Sequence, residues 1–508
     1  MEQAAVIFID SDNVYLKMVE AKNNEFKVIE DLQSPLKLGQ DTFKKINIII
    51  IEELCKIITG YLKIISEYQI KTIKAVATAA LGQVDNKDFI INQINIKTGL
   101  EVEIIDNFEE KKYIYQAIIN KINQEKNFWD SEALISYIGS GSLGIGIYAE
   151  NNIIASRNIK IGSLKVSEIL KGIQDKTDEF YVVVEESLSS ITHSLKIFLE
   201  EFQLNNFIVT GKKIEVVANL CKVDRQGDFF YIPQLKFDSL YQEIKNKTPA
   251  QIENTYNLSE NNAETILPSI VLYKTLMNLT SAEKIIAPIV FLTDIILYKM
   301  LYPDKFFSTK EKFYQSTVLS AKNLGKKYKY DQIHSNLVSK FALNIFDNIK
   351  KIHGLNKKHR LLLHSAAVLH DVGKYINISK HYQHSYRIIK SSNIFGLNHQ
   401  KLSIVALITK YHSNKSIIIN DQDFQKLNKK DRLVVAKLTA ILRIADALNK
   451  SHYNKFNQIK SELTDDQLVI TVLSNKETVL EEYTFQKKSK LFKEVFGIKL
   501  IFKKKVLY

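Results

Sequence analysis

The chain has 508 residues, 45% hydrophobic and 25% charged, with a formal net charge of +14 at pH 7. This length exceeds what one hydrophobic core sustains and implies about three or four domains in a soluble, globular protein. The longest apolar runs, INIIII and IIAPIVFLTDIILY, fall short of the roughly 18 residues of a membrane span and are broken by Glu52, Glu53 or Asp294, so no membrane association is expected.

The start, MEQAAVIFID, places an acid where a secretion signal needs a basic segment and runs straight into a strand-like stretch. Two cysteines, Cys55 and Cys221, lie far apart without ligand-type spacing, which fits a reducing, cytoplasmic location. The positive charge favours polyanionic partners such as polyphosphate, nucleotides or nucleic acid. Only six of the cations are arginines, however, so a solvated lysine surface is the plainer reading, and nucleic acid is not an expected partner.

Over residues 1–170, β-rich runs alternate with helical patterns: AAVIFID, a helix from about 41 to 68, IKAVATAA, DFIINQINIKTG, LEVEIID, FEEKKYIYQAIINKI and ALISYIGSG. The theme repeats over 171–305, with EFYVVVEES as a β-rich run, helices near 189–203 and 212–222, and NFIVTG as a strand between them. Two α/β halves in series predict a bilobal fold with a cleft. Within the first half, YIGSGSLG has the glycines and serines that bring bare backbone N–H groups up to a phosphate, but it carries no charge. From about 306 the pattern is helical, predicting a third domain over 306–455. A small tail over 456–508 follows, with strands at QLVITVLS and IKLIFKKK.

Histidine gives the sharpest boundary: ten of the eleven lie between His334 and His452. His370 and Asp371 are adjacent in an apolar helix and Asp446 sits in another, where a carboxylate is costly unless a cation or donor partners it. With His334 opening a third helix, two acids and two histidines can surround one divalent ion at the centre of a bundle. His381, His384 and His412 offer a second metal position or a phosphate site. Any one of these histidines alone is more simply a hydrogen-bonded core residue, and it is the combination that points to metal.

The order His334, His370-Asp371, Asp446 resembles the H…HD…D motif of the HD superfamily of metal-dependent phosphohydrolases. More particularly, AAVLHDVGKYINISKHYQHSYRII and the following ITKYH resemble the C-terminal module of the exopolyphosphatase/guanosine pentaphosphate phosphatase (Ppx/GppA) family. AVATAALGQVDNKDFIINQINIKTGLEVEIIDNFEEKKYIYQAI follows that family's ATxAxREAxNxxxFxxxIxxxTGLxxxIIxGxEEAxLIYxGV register without a gap. The resemblance implies an α/β plus α fold: two actin-like (ASKHA, ribonuclease H-like) lobes, then an all-helical HD domain with a small β-containing tail. It also implies phosphate binding between the lobes and makes a homodimer the default.

Carried over by position, the family's cleft residues are depleted. Its first loop falls on Ile7 to Asn13, leaving Asp10, Ser11 and Asp12 as remnants, and its phosphate-binding Arg falls on Gly82. The catalytic Glu is matched by Glu109, beside Glu110. In the second loop the two acids fall on Tyr137 and Gly144, while Gly139, Gly141 and Ser142 remain. Three readings follow. In the first, an HD centre built from His334, His370, Asp371 and Asp446 holds Mn, Mg or Fe and hydrolyses a nucleotide or other phosphorylated substrate, with Asp371 central to catalysis. In the second, the cleft acts on polyphosphate or pppGpp through Glu109. In the third, the chain is a non-catalytic sensor of polyphosphate or a guanine nucleotide.

Overall fold

The structure, a computed structural model, describes residues 2–11, 13–22, 25–36, 38, 45–122, 132–139, 142–159, 161, 166, 177, 179–413 and 421–506. Asp12 and Gly141 lie outside the described residues. Two compact units result: residues 1–145, 149–151 and 158–312, and residues 146–148, 152–157 and 313–508.

The first sheet contains β1 (Gln3–Ile9), β2 (Asn13–Lys22), β3 (Glu25–Pro35), β4 (Thr72–Ala77) and β5 (Val102–Ile104), in the order β3-β2-β1-β4-β5. β1 pairs antiparallel with β2 and parallel with β4. Its sequence QAAVIFI is apolar almost throughout because both faces are covered. Ala5, Ile7 and Ile9 pack against the helices Ile48–Glu67 and Lys87–Thr98, while Ala4, Val6 and Phe8 pack with Tyr113, Ile295, Ile296 and Leu297. The helix Leu292–Leu301 therefore returns to the first sheet from far along the chain.

The second sheet contains β6 (Glu132–Ile138), β7 (Leu143–Ala149), β8 (Asn152–Ile159), β9 (Leu204–Thr210), β10 (Phe229–Pro233) and β11 (Lys284–Pro288), in the order β10-β11-β9-β6-β7-β8. Leaving out β10, the order of the first sheet recurs: a central strand, two sequential neighbours on one side and two later strands on the other. Residue 170 is thus not the division between sheets, since β6, β7 and β8 all precede it and belong to the second. The alternating pattern showed strands without showing which of them pair.

A second difference concerns EFYVVVEES, which is not a strand but the start of the helix Phe180–Leu199. Phe180, Val184, Leu188, Leu195 and Leu199 are buried at helical spacing, and this packed face outweighs the β preference of the valine run. The five-residue strands β10 and β11 follow the helix near 212–222 and complete the second sheet on the side of β9.

In the second unit, helices surround a core that includes Phe341, Ala366, Ala406, Leu438 and Ile441. A sheet of β12 (Ile459–Leu463), β13 (Gln467–Leu473) and β14 (Lys499–Lys505) follows, in the order β12-β13-β14, with the helix Val479–Phe496 joining the parallel pair β13 and β14. Ile470, Val472, Phe485 and Phe492 belong to the same core cluster as the bundle, so the tail shares the bundle's interior.

His364 is held in that unit with its Nδ1 2.9 Å from Tyr314 Oη. Burial, with Lys322 and Arg360 nearby, pushes its pKa down to about 4. In the unfolded chain a histidine protonates below about pH 6.5. The stability from keeping His364 neutral is therefore present above pH 6.5 and is lost as pH falls toward 4. Urea unfolding at a series of pH values should show a midpoint that declines through this window, and His364→Gln should make the decline shallower.

Candidate metal centre in the helical unit

Five helices and one turn carry the cluster. Asp331 caps the helix Gln332–Asn348, its carboxylate accepting from His334 N at 3.0 Å, which fixes His334 on the first turn. His370 closes the helix Lys357–Leu369 and Asp371 precedes the 3-10 turn Val372–Tyr375. His381 begins the helix His381–Lys390, His412 closes His399–Tyr411, and Asp446 lies near the end of Lys429–Ala447. Gly373 allows the His381 helix to cross the turn closely: a Cβ there would lie 2.1 Å from His381 O and 2.3 Å from Ser385 N. Ser385 Oγ ties the two together, accepting from Gly373 N and donating to His370 O, each at 2.8 Å.

The donor atoms converge. His334 Nε2 lies 3.1 Å from His370 Nε2 and 3.6 Å from both Asp371 Oδ2 and Asp446 Oδ1. His370 Nε2 lies 3.5 Å from Asp371 Oδ2 and 3.7 Å from Asp446 Oδ1. Nitrogen and oxygen ligands at about 2.0–2.2 Å from a shared ion stand about 3.0–3.6 Å apart, so this spacing fits a metal. The other oxygen, Asp371 Oδ1, faces His381 Nε2 at 3.2 Å and His412 Nε2 at 3.6 Å. Asp371 is thus shared between two sets of donors. His384 is not among the residues converging here; its Cβ lies over Gly373.

The tautomers explain why these nitrogens face one another. His370 Nδ1 lies 2.8 Å from Ala367 O, His412 Nδ1 2.6 Å from Thr409 O and His381 Nδ1 3.1 Å from Ile378 O. A carbonyl oxygen only accepts, so each Nδ1 carries a proton and each ring turns its Nε2 inward. Carboxylates brought out of water are costly unless cations or donors stand beside them.

Burial works against charge on Asp371, but His370, His381 and His412 overcome it and hold the carboxyl well below the usual range. Burial likewise opposes the charged form of Asp446, whose carboxyl is held down by Lys488, His334 and His370. Burial pushes His412 down to about 4, keeping it neutral. Several supporting residues carried no motif in the sequence. Lys374 Nζ lies 2.5 Å from Asp371 Oδ2, and Lys488, from the C-terminal helix, donates to Asp446 Oδ2. His452 stacks on His334 with ring centroids 3.8 Å apart, and the Asn449 amide lies 2.9 Å from His334 Nδ1. Only Lys374 was within reach of sequence reasoning, three residues after Asp371.

The cleft residues of the first unit form no comparable set among those described. Asp10 Oδ1 accepts from Ser11 N at 2.7 Å and lies 3.5 Å from Thr78 Oγ1. Gly139 N donates to Ser142 O at 3.0 Å. Glu109 is exposed, whereas Glu110 accepts from Tyr137 Oη at 2.6 Å. A Cβ at Gly144 would meet Tyr115 Oη at 3.1 Å and Lys111 Cδ at 3.3 Å, and Lys111 donates to Asn158 Oδ1. Burial lowers the Lys111 pKa to about 8. A Cβ at Gly82 would lie 2.9 Å from Ile104 Cγ2. Tyrosine, lysine and isoleucine side chains thus fill the neighbourhoods of positions 137, 144 and 82.

A repeated strand order in the first unit, followed by a helical unit with a histidine–aspartate cluster, defines a two-sheet α/β architecture with a helical third domain. A family model described as "Ppx/GppA phosphatase family" matches residues 18–302, and one described as "Ppx/GppA phosphatase, domain III" matches 317–492. The chain belongs to the Ppx/GppA phosphatase family. An exopolyphosphatase structure from Cytophaga hutchinsonii is similar with TM-score 0.51 at 18% identity, over 59% of this chain and 98% of that one. This likeness shows the fold, with its actin-like mixed α/β lobes. A Ppx/GppA family structure from Aquifex aeolicus has TM-score 0.48 at 18% identity, over 60% of this chain and 98% of that one. A bifunctional 3-dehydroquinate synthase/phosphatase from Fusobacterium nucleatum is 29% identical over 174 residues, 32% of this chain and 26% of that protein. The chain thus spans about a quarter of that relative's length. No described helix is long and apolar enough to cross a membrane.

Gly373→Ala should force the His381 helix away from the HD turn, destabilising the unit by about 1–3 kcal/mol through overpacking. Calorimetric titration with Mn²⁺ should show weakened binding in this variant.

Proposed function

We propose that the helical unit is an HD-type, metal-dependent phosphohydrolase centre acting on a nucleotide or other phosphorylated substrate. One observation carries the reading: two imidazole Nε2 atoms 3.1 Å apart, with two carboxylate oxygens within 3.7 Å of them in a buried site. His334, His370, Asp371 and Asp446 would hold a divalent ion, and the mixed nitrogen and oxygen donors suit Mn or Fe and tolerate Mg. When bound, such an ion supplies Lewis-acid polarisation and lowers the pKa of water.

The chain's own groups do the rest. Lys374 and His381 lie at the more open side of the cluster, where a phosphoryl oxygen can meet a lysine donor. His381 and His412 would hold a second ion together with Asp371 Oδ1, or His381 would meet phosphate from the more open side. Hydrolysis joins a water oxygen to phosphorus, breaks the bond to the leaving oxygen and passes a proton to that oxygen. The apolar core behind the cluster excludes bulk water and strengthens these charge interactions. The two lobes would keep a structural or ligand-sensing role, with polyphosphate or a guanine nucleotide as the candidate ligand.

Purified protein should contain or take up a divalent metal and release phosphate from some member of a nucleotide panel. Asp371→Ala should lower that rate by at least about a hundredfold, while Glu109→Gln leaves it within about twofold. Polyphosphate or pppGpp hydrolysis abolished by Glu109→Gln and untouched by Asp371→Ala would instead place the chemistry in the cleft.

A further inference from the structure

The charges around the cluster are matched in a way that bears on what it binds. Asp371 is paired with Lys374, and Asp446 with Lys488. Nearby, Asp331 Oδ2 lies 3.0 Å from His452 Nδ1 at the half-exposed rim, and Arg443 lies within the influence of both Asp446 and Glu494. Each carboxylate that would ligate a metal therefore already has its own ammonium group. A divalent ion added among them leaves about two positive charges uncompensated in a buried place, where excess charge is strongly disfavoured.

Resting on the metal-centre reading above, we infer that the site takes a doubly charged terminal phosphate monoester in preference to an internal phosphodiester. A monoester carries close to two negative charges above its second pKa of about 6 and cancels the excess, whereas a diester carries only one. The more open side fits such a group: the side chains of Lys374 and His452 are 36% and 33% exposed, against 1% or less for His334 and His370. Next to these residues in sequence, Tyr375, Ile376, Ile378 and Tyr453 are exposed apolar side chains. They suit an organic substituent on the phosphate. Lys488 then acts as a positioning and specificity-determining residue: from the C-terminal helix it holds Asp446 Oδ2, leaving Oδ1 toward the imidazoles, and it sets the charge of the site.

The test compares Mn²⁺-loaded full-length protein on p-nitrophenyl phosphate and bis(p-nitrophenyl) phosphate at about pH 8, with Asp371→Asn as the control, and titrates metal-free protein with Mn²⁺ by calorimetry. The monoester should be cleaved with kcat/KM at least about tenfold higher than the diester. Lys488→Met should bind Mn²⁺ more tightly, because a competing cation is gone, and should lower the monoester-to-diester ratio by at least about fivefold. A merely structural lysine would lower both rates together, leave the ratio unchanged and weaken Mn²⁺ binding; that result would overturn the inference. A diester preference abolished by Asp371→Asn would overturn it too while leaving the metal-centre reading intact. Absence of both Mn²⁺ binding and hydrolysis of either ester would overturn both.

Discussion

The helical unit depends on the cost of keeping two carboxylates out of water. Asp371 and Asp446 are each 6% exposed, one just after a helix and one within a helix whose buried residues are mostly alanine, valine, leucine and isoleucine. An isolated carboxylate in such surroundings would take up a proton. Here imidazoles and lysines surround both, so the acids stay charged and the helices carrying them must meet in one register. The 3-10 turn after Asp371, the absent side chain at Gly373 and the Ser385 bridge all follow from bringing His381 to the free oxygen of Asp371.

Packing also explains why the C-terminal tail belongs to the site. β12 to β14 and their connecting helix bury Ile470, Val472, Phe485 and Phe492 in the bundle's own core. That shared interior sets the helix Val479–Phe496 beside Lys429–Ala447 and brings Lys488 to Asp446. Removing the tail would uncover apolar core surface and leave a buried acid without its lysine, so its role is both structural and electrostatic.

In the first unit the repeated strand order keeps the architecture of a phosphate-binding family, while particular side chains refill the places its acids and arginine would take. Gly144 cannot simply revert to an acid, because Lys111 and Tyr115 stand where its Cβ would go. Tyr137 has taken Glu110 as its acceptor. These are coupled replacements: a small residue at one position accommodates a large one at another, and the lobe stays packed.

Much of this was written along the chain. The apolar run of β1, the change to helical periodicity after the lobes and the confinement of histidine to one region follow from local composition and spacing. The H…HD…D order identified four of the clustered residues without any structure. Which strands share a sheet was not local information, and residue 170 was therefore misread as a division; nor was the helical state of EFYVVVEES, where a buried face overrode β propensity. The sequence by itself determined which groups were available and that the acids lay on apolar helices. Only the tertiary structure decided that Asp371 is shared between two donor sets, that Glu110 rather than Glu109 faces Tyr137, and that a lysine 42 residues beyond Asp446 completes the centre. Long-range electrostatic partners are fixed by how helices pack, and no spacing along the chain encodes that distance.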